Sequence, residues 1–392
     1  MNNRLPLLFS ILLISSSQLT NGLLSPALPQ IAEQFAVSQS LPQQIIVQFL
    51  LGLGLSQLIY GPLADSLGRR YAFWLGQFVF LLGTSIMISG SGSIQMLIIG
   101  AFVQGLGAGS NQILARCLLS DNYRGPALDN SLAWLGMAAS CIPIMAPLLG
   151  GFVTEHGHWS WLMFAMAAAS LSLCLFSNRY WRQLSETRKP RSLKDVFVDY
   201  LDLIRNREFL LHSSIFWIAG VGIIYMMTSA PFILQHHYHL SASDYGLTMM
   251  LPAFGLAFGS NFNRIGTRLS DRQRSYIAGS APAIAAIMLK TNDSLAILLL
   301  ALSLTSFAIG VLFPLGLKGL LNRFRHQAGT ASALAGASQM LLTAIITSSL
   351  NQWVDPSVSA LALSFLCMSA LLAIVISLQL RPLKMASQIE AS

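Results

Sequence analysis

The decapeptide GPLADSLGRR, residues 61–70, is a short charged segment between two long apolar stretches. Each of the flanking stretches is long enough to cross a bilayer, which takes ~20 apolar residues. A charged break between two such stretches is typical of a loop that joins two transmembrane helices. The glycines that frame the break and its ionisable residues are Gly61, Asp65, Gly68, Arg69 and Arg70.

The composition of the whole chain points to a membrane protein. Of its 392 residues 54% are hydrophobic and only 10% are charged, whereas soluble domains carry about 25% charged residues. A formal net charge of +8 would suggest a nucleic-acid partner in a soluble protein. In a membrane protein, basic loops on the cytoplasmic face explain the charge better. We therefore expect the lipid bilayer as a partner and no nucleic acid.

The sequence gives no indication of an enzyme, a metal site or a bound cofactor. The four cysteines (Cys117, Cys141, Cys174 and Cys367) lie in or beside apolar runs without CxxC spacing, as small buried residues do. The one dense histidine patch, QHHYH at 235–239, is interpreted as a solvated loop. A membrane enzyme would need clustered His, Asp or Glu at one membrane face, and an ATP-driven pump would need a P-loop.

Counting the long stretches without Asp, Glu, Lys or Arg predicts twelve spans. Eleven stretches are present, and the one at 71–115 is too long for a single helix. The turn sequence SGSGS at 89–93 divides it into two. The stretches are 5–32, 34–64, 71–115, 130–154, 156–178, 209–243, 245–263, 275–289, 294–317, 326–354 and 356–380.

The basic residues support this count and predict an orientation. With both termini in the cytoplasm, 22 of the 23 Lys and Arg residues fall in cytoplasmic segments, and only Lys290 does not. This is a strong positive-inside pattern. The longest polar break divides the chain into a six-helix bundle at 1–180, a cytoplasmic linker at 181–208 and a second six-helix bundle at 209–392. Within the linker, apolar residues at helical spacing over 192–206 predict an amphipathic helix on the membrane surface.

Several motifs resemble those of the major facilitator superfamily. Residues 61–70 resemble its loop signature G-x-L-A-D-x-x-G-R-R, placed after span 2 as in that family. Residues 141–151, CIPIMAPLLGG, resemble the antiporter signature of its drug-exporting branches, with Ala146 where glycine is usual. The stretches 25–35, 56–70, 103–116, 310–316 and 328–339 look like the Bcr/CflA and EmrD group of multidrug/proton antiporters.

This resemblance implies an all-α integral membrane protein with twelve transmembrane helices in two six-helix halves, the major facilitator fold. It also implies proton-driven export. Two positions depart from many members, because Gly22 stands where an Asp is common and Ala101 where an Arg is common. EmrD-type members lack these charges as well, so that branch is favoured.

The resemblance also assigns roles to the two motifs. In the first motif, Asp65 is expected to face the start of span 11 and latch the halves together, with Gly61 and Gly68 allowing tight turns and close approach. Asp65 is also expected to cap the start of span 3, while Arg69 and Arg70 fix topology and pair with Asp121 or Asp129. The alternative is a loop that only sets topology. The antiporter motif residues are Pro143, Pro147, Gly150 and Gly151.

No Lys, Arg, Asp or Glu lies near the middle of a span, so neutral polar and aromatic residues are the candidates for the substrate cavity. They suit an apolar or aromatic substrate of variable shape. For each of them, bridging between helices is the alternative role. The predicted cavity residues are Gln18, Asn21, Gln104, Asn111, Trp217, Tyr225 and Gln339. Proton coupling must then use helix ends, and the candidates are Glu33, Asp65 and Asp129.

The sequence therefore predicts a secondary active exporter of drugs or amphipathic small molecules. It would work by proton antiport with alternating access, as a monomer in a bacterial inner membrane. The alternative is an exporter dedicated to one endogenous metabolite, such as a siderophore.

Overall fold

In a computed structural model of the chain, the described residues are 4–90, 92–181, 193–265, 269–324 and 328–379. The first half contains α1 (Leu5–Leu23), α2 (Leu28–Gln34), α3 (Ser40–Ser66), α4 (Arg69–Ser89), α5 (Ile94–Asn122), α6 (Gly125–His156) and α7 (Ser160–Trp181). The linker contributes α8 (Leu193–Arg205). The second half contains α9 (Arg207–Phe232), α10 (Ala242–Thr248), α11 (Met250–Ile265), α12 (Asp271–Thr291), α13 (Leu295–Arg323), α14 (Ala328–Trp353) and α15 (Val358–Gln379).

These helices form the twelve predicted spans, six in each half. Nine helical segments of the described chain are long and apolar enough to cross a membrane, and α6, the α10–α11 pair and α12 complete the twelve. Spans 1 and 8 are each built from two helices, and in span 1 the break is a single 3₁₀ turn at Ser25–Ala27. The predicted turn at 89–93 is confirmed, because α4 ends at Ser89 and α5 begins at Ile94.

Glycines let the core helices of the first half approach closely. A Cβ atom on Gly105 of α5 would lie 2.0 Å from the carbonyl oxygen of Phe49 in α3, and one on Gly52 would lie 2.2 Å from that of Phe102. Backbone contact of this kind is the usual role of small residues between membrane helices.

The linker helix α8 packs on the bundle. One side of it, with Val196, Tyr200 and Leu203, is buried in a cluster with residues of α9, α13 and α14. Its other apolar residues, Phe197 and Leu201 among them, remain exposed. The predicted amphipathic helix is therefore present, and part of its apolar face covers protein. Residues 182–192 of the predicted linker lie outside the described part of the chain, and the predicted domain boundaries stay a prediction.

The two ends of the bundle are named here by their helix termini. The end at which α3 ends and α14 begins is called the basic end, and the sequence predicts that it is cytoplasmic. The other end, at which α6 ends and α10 begins, is called the outer end.

Candidate functional site

A buried charge cluster joins three helices of the first half at the basic end. Arg69, the first residue of α4, lies with its Nη1 atom 2.5 Å from Oδ1 of Asp65 in the last turn of α3. Its Nε atom donates a 3.0 Å hydrogen bond to Oδ2 of Asp121 in the last turn of α5. The pairing of Arg69 with Asp121 confirms one of the two predicted partners.

The prediction that Asp65 caps α4 is wrong. The N-cap residue of α4 is Gly68, and the Asp65 carboxylate makes its hydrogen bond to the Arg69 side chain instead of to the free N–H groups of that helix. The carboxylate of Asp65 instead contacts the Arg69 guanidinium, which offers a charge-assisted hydrogen bond. Gly68 has φ +101° and ψ 154°, a backbone conformation essentially restricted to glycine.

Asp65 also lines a cavity of about 330 Å³ at the basic end. Gly61 is part of its wall, and a Cβ atom on Gly61 would meet nothing within 4 Å, so the predicted close approach does not occur at that residue. Thr330 of α14 and Tyr200 of α8 line the same cavity. Asp65 and the start of span 11 thus line one cavity, and the latch role of Asp65 stays a prediction.

At the outer end, the antiporter motif packs α6 against its neighbours through backbone contact. A Cβ atom on Gly150 would lie 2.1 Å from the carbonyl oxygen of Leu23 in α1, and one on Gly151 would lie 2.2 Å from that of Ala242 in α10. Pro147 contributes a carbonyl oxygen that lies 2.7 Å from the Cβ position of Gly246. The side chain of the predicted motif residue Pro143 lies outside the described part of the structure.

Glu155 ties the end of the same helix to the second half. Its Oε2 atom accepts hydrogen bonds of 2.8 Å from the Ser241 hydroxyl and of 2.8 Å from the backbone N–H of Ser243. Because α6 belongs to the first half and both serines to the second, this carboxylate connects the two halves. Sequence reasoning missed Glu155, although it is the charge that ends the apolar stretch 130–154.

Further hydrogen bonds close the outer end between the halves. The Ser25 hydroxyl donates to the carbonyl of Met227 at 2.9 Å, and Gln235 donates to the carbonyl of Pro26 at 2.9 Å. Glu33, a predicted proton-coupling residue, is exposed and lies 3.4 Å from Nε2 of His236. The predicted coupling residue Asp129 is in α6, and its side chain lies outside the described part of the structure.

The predicted polar residues of the first half bond to neighbouring helices. Gln104 donates to the Thr84 hydroxyl at 2.8 Å, and Asn111 accepts from Gln77 at 2.7 Å. Ser170 in turn donates to Gln77 at 2.6 Å. These contacts are helix bridges, the alternative role considered for them, so substrate contact by Gln104 and Asn111 stays a prediction.

The remaining two predicted residues of the first half lie in α1. Gln18 is half-buried there, and the side chain of Asn21 lies outside the described part of the structure.

The predicted aromatic residues of the second half border a large apolar crevice. Its volume is about 550 Å³, in the range typical of ligand pockets, and it lies between α9, α14 and α15. Trp217 and Tyr225 of α9 form part of its wall, together with Leu342, Phe365 and Met368.

Gln339 of α14 lies against Gly220 of α9. It is buried, and its amide nitrogen would lie 2.2 Å from a Cβ atom on Gly220.

Known proteins resemble the chain over most of its length. The sequence matches the Major Facilitator Superfamily over residues 10–348. It is 28% identical over 353 residues to Multidrug resistance protein D of Escherichia coli (strain K12), covering 87% of each chain. It is 24% identical over 338 residues to the Bicyclomycin resistance protein homolog of Haemophilus influenzae, covering 82% of this chain and 83% of the relative.

Solved structures share the fold at low sequence identity. The crystal structure of a D-xylose-proton symporter superposes with a TM-score of 0.73 at 14% identity, covering 95% of both chains. A peptide transporter bound to alafosfalin superposes with a TM-score of 0.75 at 13% identity, covering 96% of this chain and 94% of that one. With a family match that spans most of its twelve helices, this chain belongs to the Major Facilitator Superfamily.

Proposed function

We propose that this transporter exports apolar or aromatic small molecules in exchange for protons, by alternating access. The observation that carries the proposal is the apolar crevice of about 550 Å³ between α9, α14 and α15, with Trp217 and Tyr225 in its wall. Aromatic and aliphatic walls accept ligands of varied shape, because hydrophobic contact needs no fixed hydrogen-bond geometry. Two relatives are named for multidrug resistance and for bicyclomycin resistance, which supports the export of drugs.

The different states of the two ends support alternating access. At the outer end, Glu155, Ser25 and Gln235 hold the halves together by hydrogen bonds. At the basic end, Asp65 and Thr330 line one cavity of about 330 Å³. An arrangement closed at one end and open at the other is what a transporter with a midplane site requires. In the proposed cycle Asp65 closes on the start of α14 when the outer bonds break.

Protons would be coupled at helix ends, with Glu33, Asp65 and Asp129 as the proposed residues. Glu33 has a titratable neighbour across the halves in His236. A proton that returns inward across the membrane potential releases ~2.3 kcal/mol per 100 mV. One proton per substrate therefore supports accumulation of tenfold or more. The proposed setting is a bacterial inner membrane, with the chain as a monomer and both termini in the cytoplasm.

The test is dye accumulation in inside-out vesicles from cells that express the protein. Respiration sets the proton gradient, and an uncoupler then removes it. Accumulation that the uncoupler abolishes supports proton-driven export, and the variant Trp217→Leu should weaken it without loss of protein from the membrane. Well-inserted protein that moves no aromatic dye would refute the multidrug function and favour a single endogenous substrate.

A further inference from the structure

The histidine patch QHHYH at 235–239 belongs in part to a helix at the outer end. Helix α9 continues past Phe232 into a π-helical turn, Ile233–His237, so the interpretation of the patch as a loop is wrong for its first three residues. The backbone N–H of Tyr238 closes this turn with a 3.2 Å hydrogen bond to the carbonyl of Ile233. Helical turns of this kind are rare and occur frequently at functional sites.

One histidine of the patch is fixed within the second half. Nε2 of His237 lies 3.0 Å from Oδ2 of Asp293, in the turn between α12 and α13. The Tyr238 hydroxyl donates a 2.6 Å hydrogen bond to Oδ1 of the same carboxylate. Because α9, α12 and α13 all belong to the second half, these contacts are kept when the two halves move apart as rigid bodies.

The neighbouring histidine reaches the first half instead. Nε2 of His236 lies 3.4 Å from Oε1 of Glu33 in α2. Its Nδ1 atom lies 3.3 Å from Nε2 of Gln39, the N-cap residue of α3. Both ring nitrogens of His236 therefore contact the first half, although its backbone belongs to the second. These two contacts are made when the outer end is closed and are broken when the halves separate.

The other groups around His236 are those of the cavity that it lines. This cavity has a volume of about 250 Å³, and it is also bordered by His237, by Asp293 and by residues 356–359 before and at the start of α15. Among its described lining residues, the two histidines and Asp293 are the titratable ones. Asp293 is already paired with His237, so Glu33 is the carboxylate that a positive charge on His236 meets.

We propose that His236 is a proton-operated lock of the outer end, which protonation of the imidazole closes. A neutral imidazole has one N–H donor and one acceptor nitrogen. With its hydrogen on Nε2, the ring donates to Glu33 and accepts from the amide nitrogen of Gln39. A second proton makes the Glu33 contact an ion pair, and charge-assisted contacts are stronger than neutral ones. Gln39 is only half-buried, so its amide can turn and offer Oε1 to the new N–H.

The lock makes closure depend on the acidity of the medium at the outer end. The side chains of His236 and Glu33 are 36% and 70% exposed, so the proton on His236 exchanges with that medium and is not the one carried across. The closed end offers the imidazolium a carboxylate and the open end does not. Protons therefore bind the closed state better, and acid favours closure. The inference rests on the alternating access of the proposed function, in which this lock returns the empty transporter to the state open at the basic end.

The experiment measures opening of the outer end by double electron–electron resonance between two spin labels. In a background without native cysteines, Gln95→Cys in the first turn of α5 and Thr291→Cys in the last turn of α12 give each half one label at this end. Both positions are exposed, and separation of the halves lengthens the distance between the labels. The protein is held in lipid nanodiscs without dye or proton gradient, so a failure of the proposed export would leave this measurement interpretable.

Acid should favour the shorter distance. Between about pH 8 and about pH 5, where histidine changes charge, the ratio of closed to open molecules should rise roughly two- to fivefold more in the parent than in His236→Gln, the effect of a solvated ion pair. Glu33→Gln should lose the same part of the response, and the double variant should lose no more than either single one. His237→Gln is the matched control, because the carboxylate that His237 contacts belongs to its own half, and it should keep the response of the parent.

Three results would overturn the inference. One is a response to acid in His236→Gln as large as that of the parent, and another is an equal loss of response in His237→Gln. The third is a parent that stays closed at both pH values, because the lock would then decide nothing. If His236→Gln fails to fold, Glu33→Gln decides the outcome. None of these results bears on export, which the vesicle assay tests separately.

Discussion

The buried charge cluster at the basic end allows the most quantitative prediction. Arg69 contacts two carboxylates, and the burial of the three side chains is unequal. The side chains of Arg69 and Asp121 are only 8% and 13% exposed, whereas that of Asp65 is 38% exposed. The two ion pairs should therefore contribute very differently to the stability of the fold.

The burial determines the expected magnitudes. Removing one partner of a buried ion pair costs about 3–5 kcal/mol, because the other charge is left without compensation. Arg69→Met, which strands Asp121, should fall in this range, and Asp121→Asn should come close to its lower limit. The partly solvated Asp65 contributes ~1 kcal/mol or less, so Asp65→Asn should cost much less while still impairing transport.

The assay is the apparent unfolding temperature of each purified variant at one fixed heating rate. The expected order of loss is Arg69→Met, then Asp121→Asn, then Asp65→Asn. Arg323→Met is the control, because Arg323 pairs with Glu208 at 3.4 Å but is 57% exposed. The double variant Arg69→Met/Asp121→Asn should be more stable than Arg69→Met alone. An Arg323→Met loss as large as that of Arg69→Met, or a double variant worse than the single one, would show that burial does not set the contribution of these ion pairs.

Three further predictions follow from other sites. Gly68→Ala should lower the apparent unfolding temperature, because φ +101° costs a residue with a Cβ atom about 1–3 kcal/mol; an unchanged unfolding temperature would contradict this. In a background without native cysteines, the rate at which a water-soluble maleimide labels an Ala27→Cys variant reports opening of the outer end, because Ala27 is fully buried in the 3₁₀ turn that packs against α9 and α10. Glu155→Gln should speed this labelling by roughly two- to fivefold, the value of a solvated charged contact; unchanged labelling would argue against a closing role. Hydrogen bonds from Tyr238 and His237 lower the pKa of Asp293 from its usual 3.8. The parent should therefore unfold at a higher temperature than Asp293→Asn above that usual pKa, and this difference should be lost as the pH falls through the lowered pKa of the folded state. A difference that grows as the pH falls would contradict this.

Features that depend on local sequence could be predicted well. The turn at 89–93 and the amphipathic helix at 192–206 are visible because apolar length and helical spacing are properties of neighbouring residues. The pairing of Arg69 with Asp121 could be anticipated because both lie at helix ends on one side of the membrane. The glycines of 105–109 indicate a closely packed helix, because small residues let membrane helices approach, but only the structure shows that α3 is the neighbour.

Features that depend on which helix faces which could not be predicted. Asp65 had two possible partners, the free N–H groups of α4 and the Arg69 guanidinium, and only the geometry of the Gly68 turn decides between them. Gln104 and Asn111 share a helix face, but nothing in the sequence says that Thr84 and Gln77 lie opposite.

In the proposed cycle, substrate leaves in exchange for protons. This exchange can be measured with purified protein in liposomes that have an acidic lumen, an entrapped pH indicator and an aromatic dye added outside. The dye should accumulate inside while the lumen becomes more alkaline, and both changes should need the gradient. Dye that merely equilibrates with or without the gradient, or that accumulates with no change in lumen pH, would contradict it.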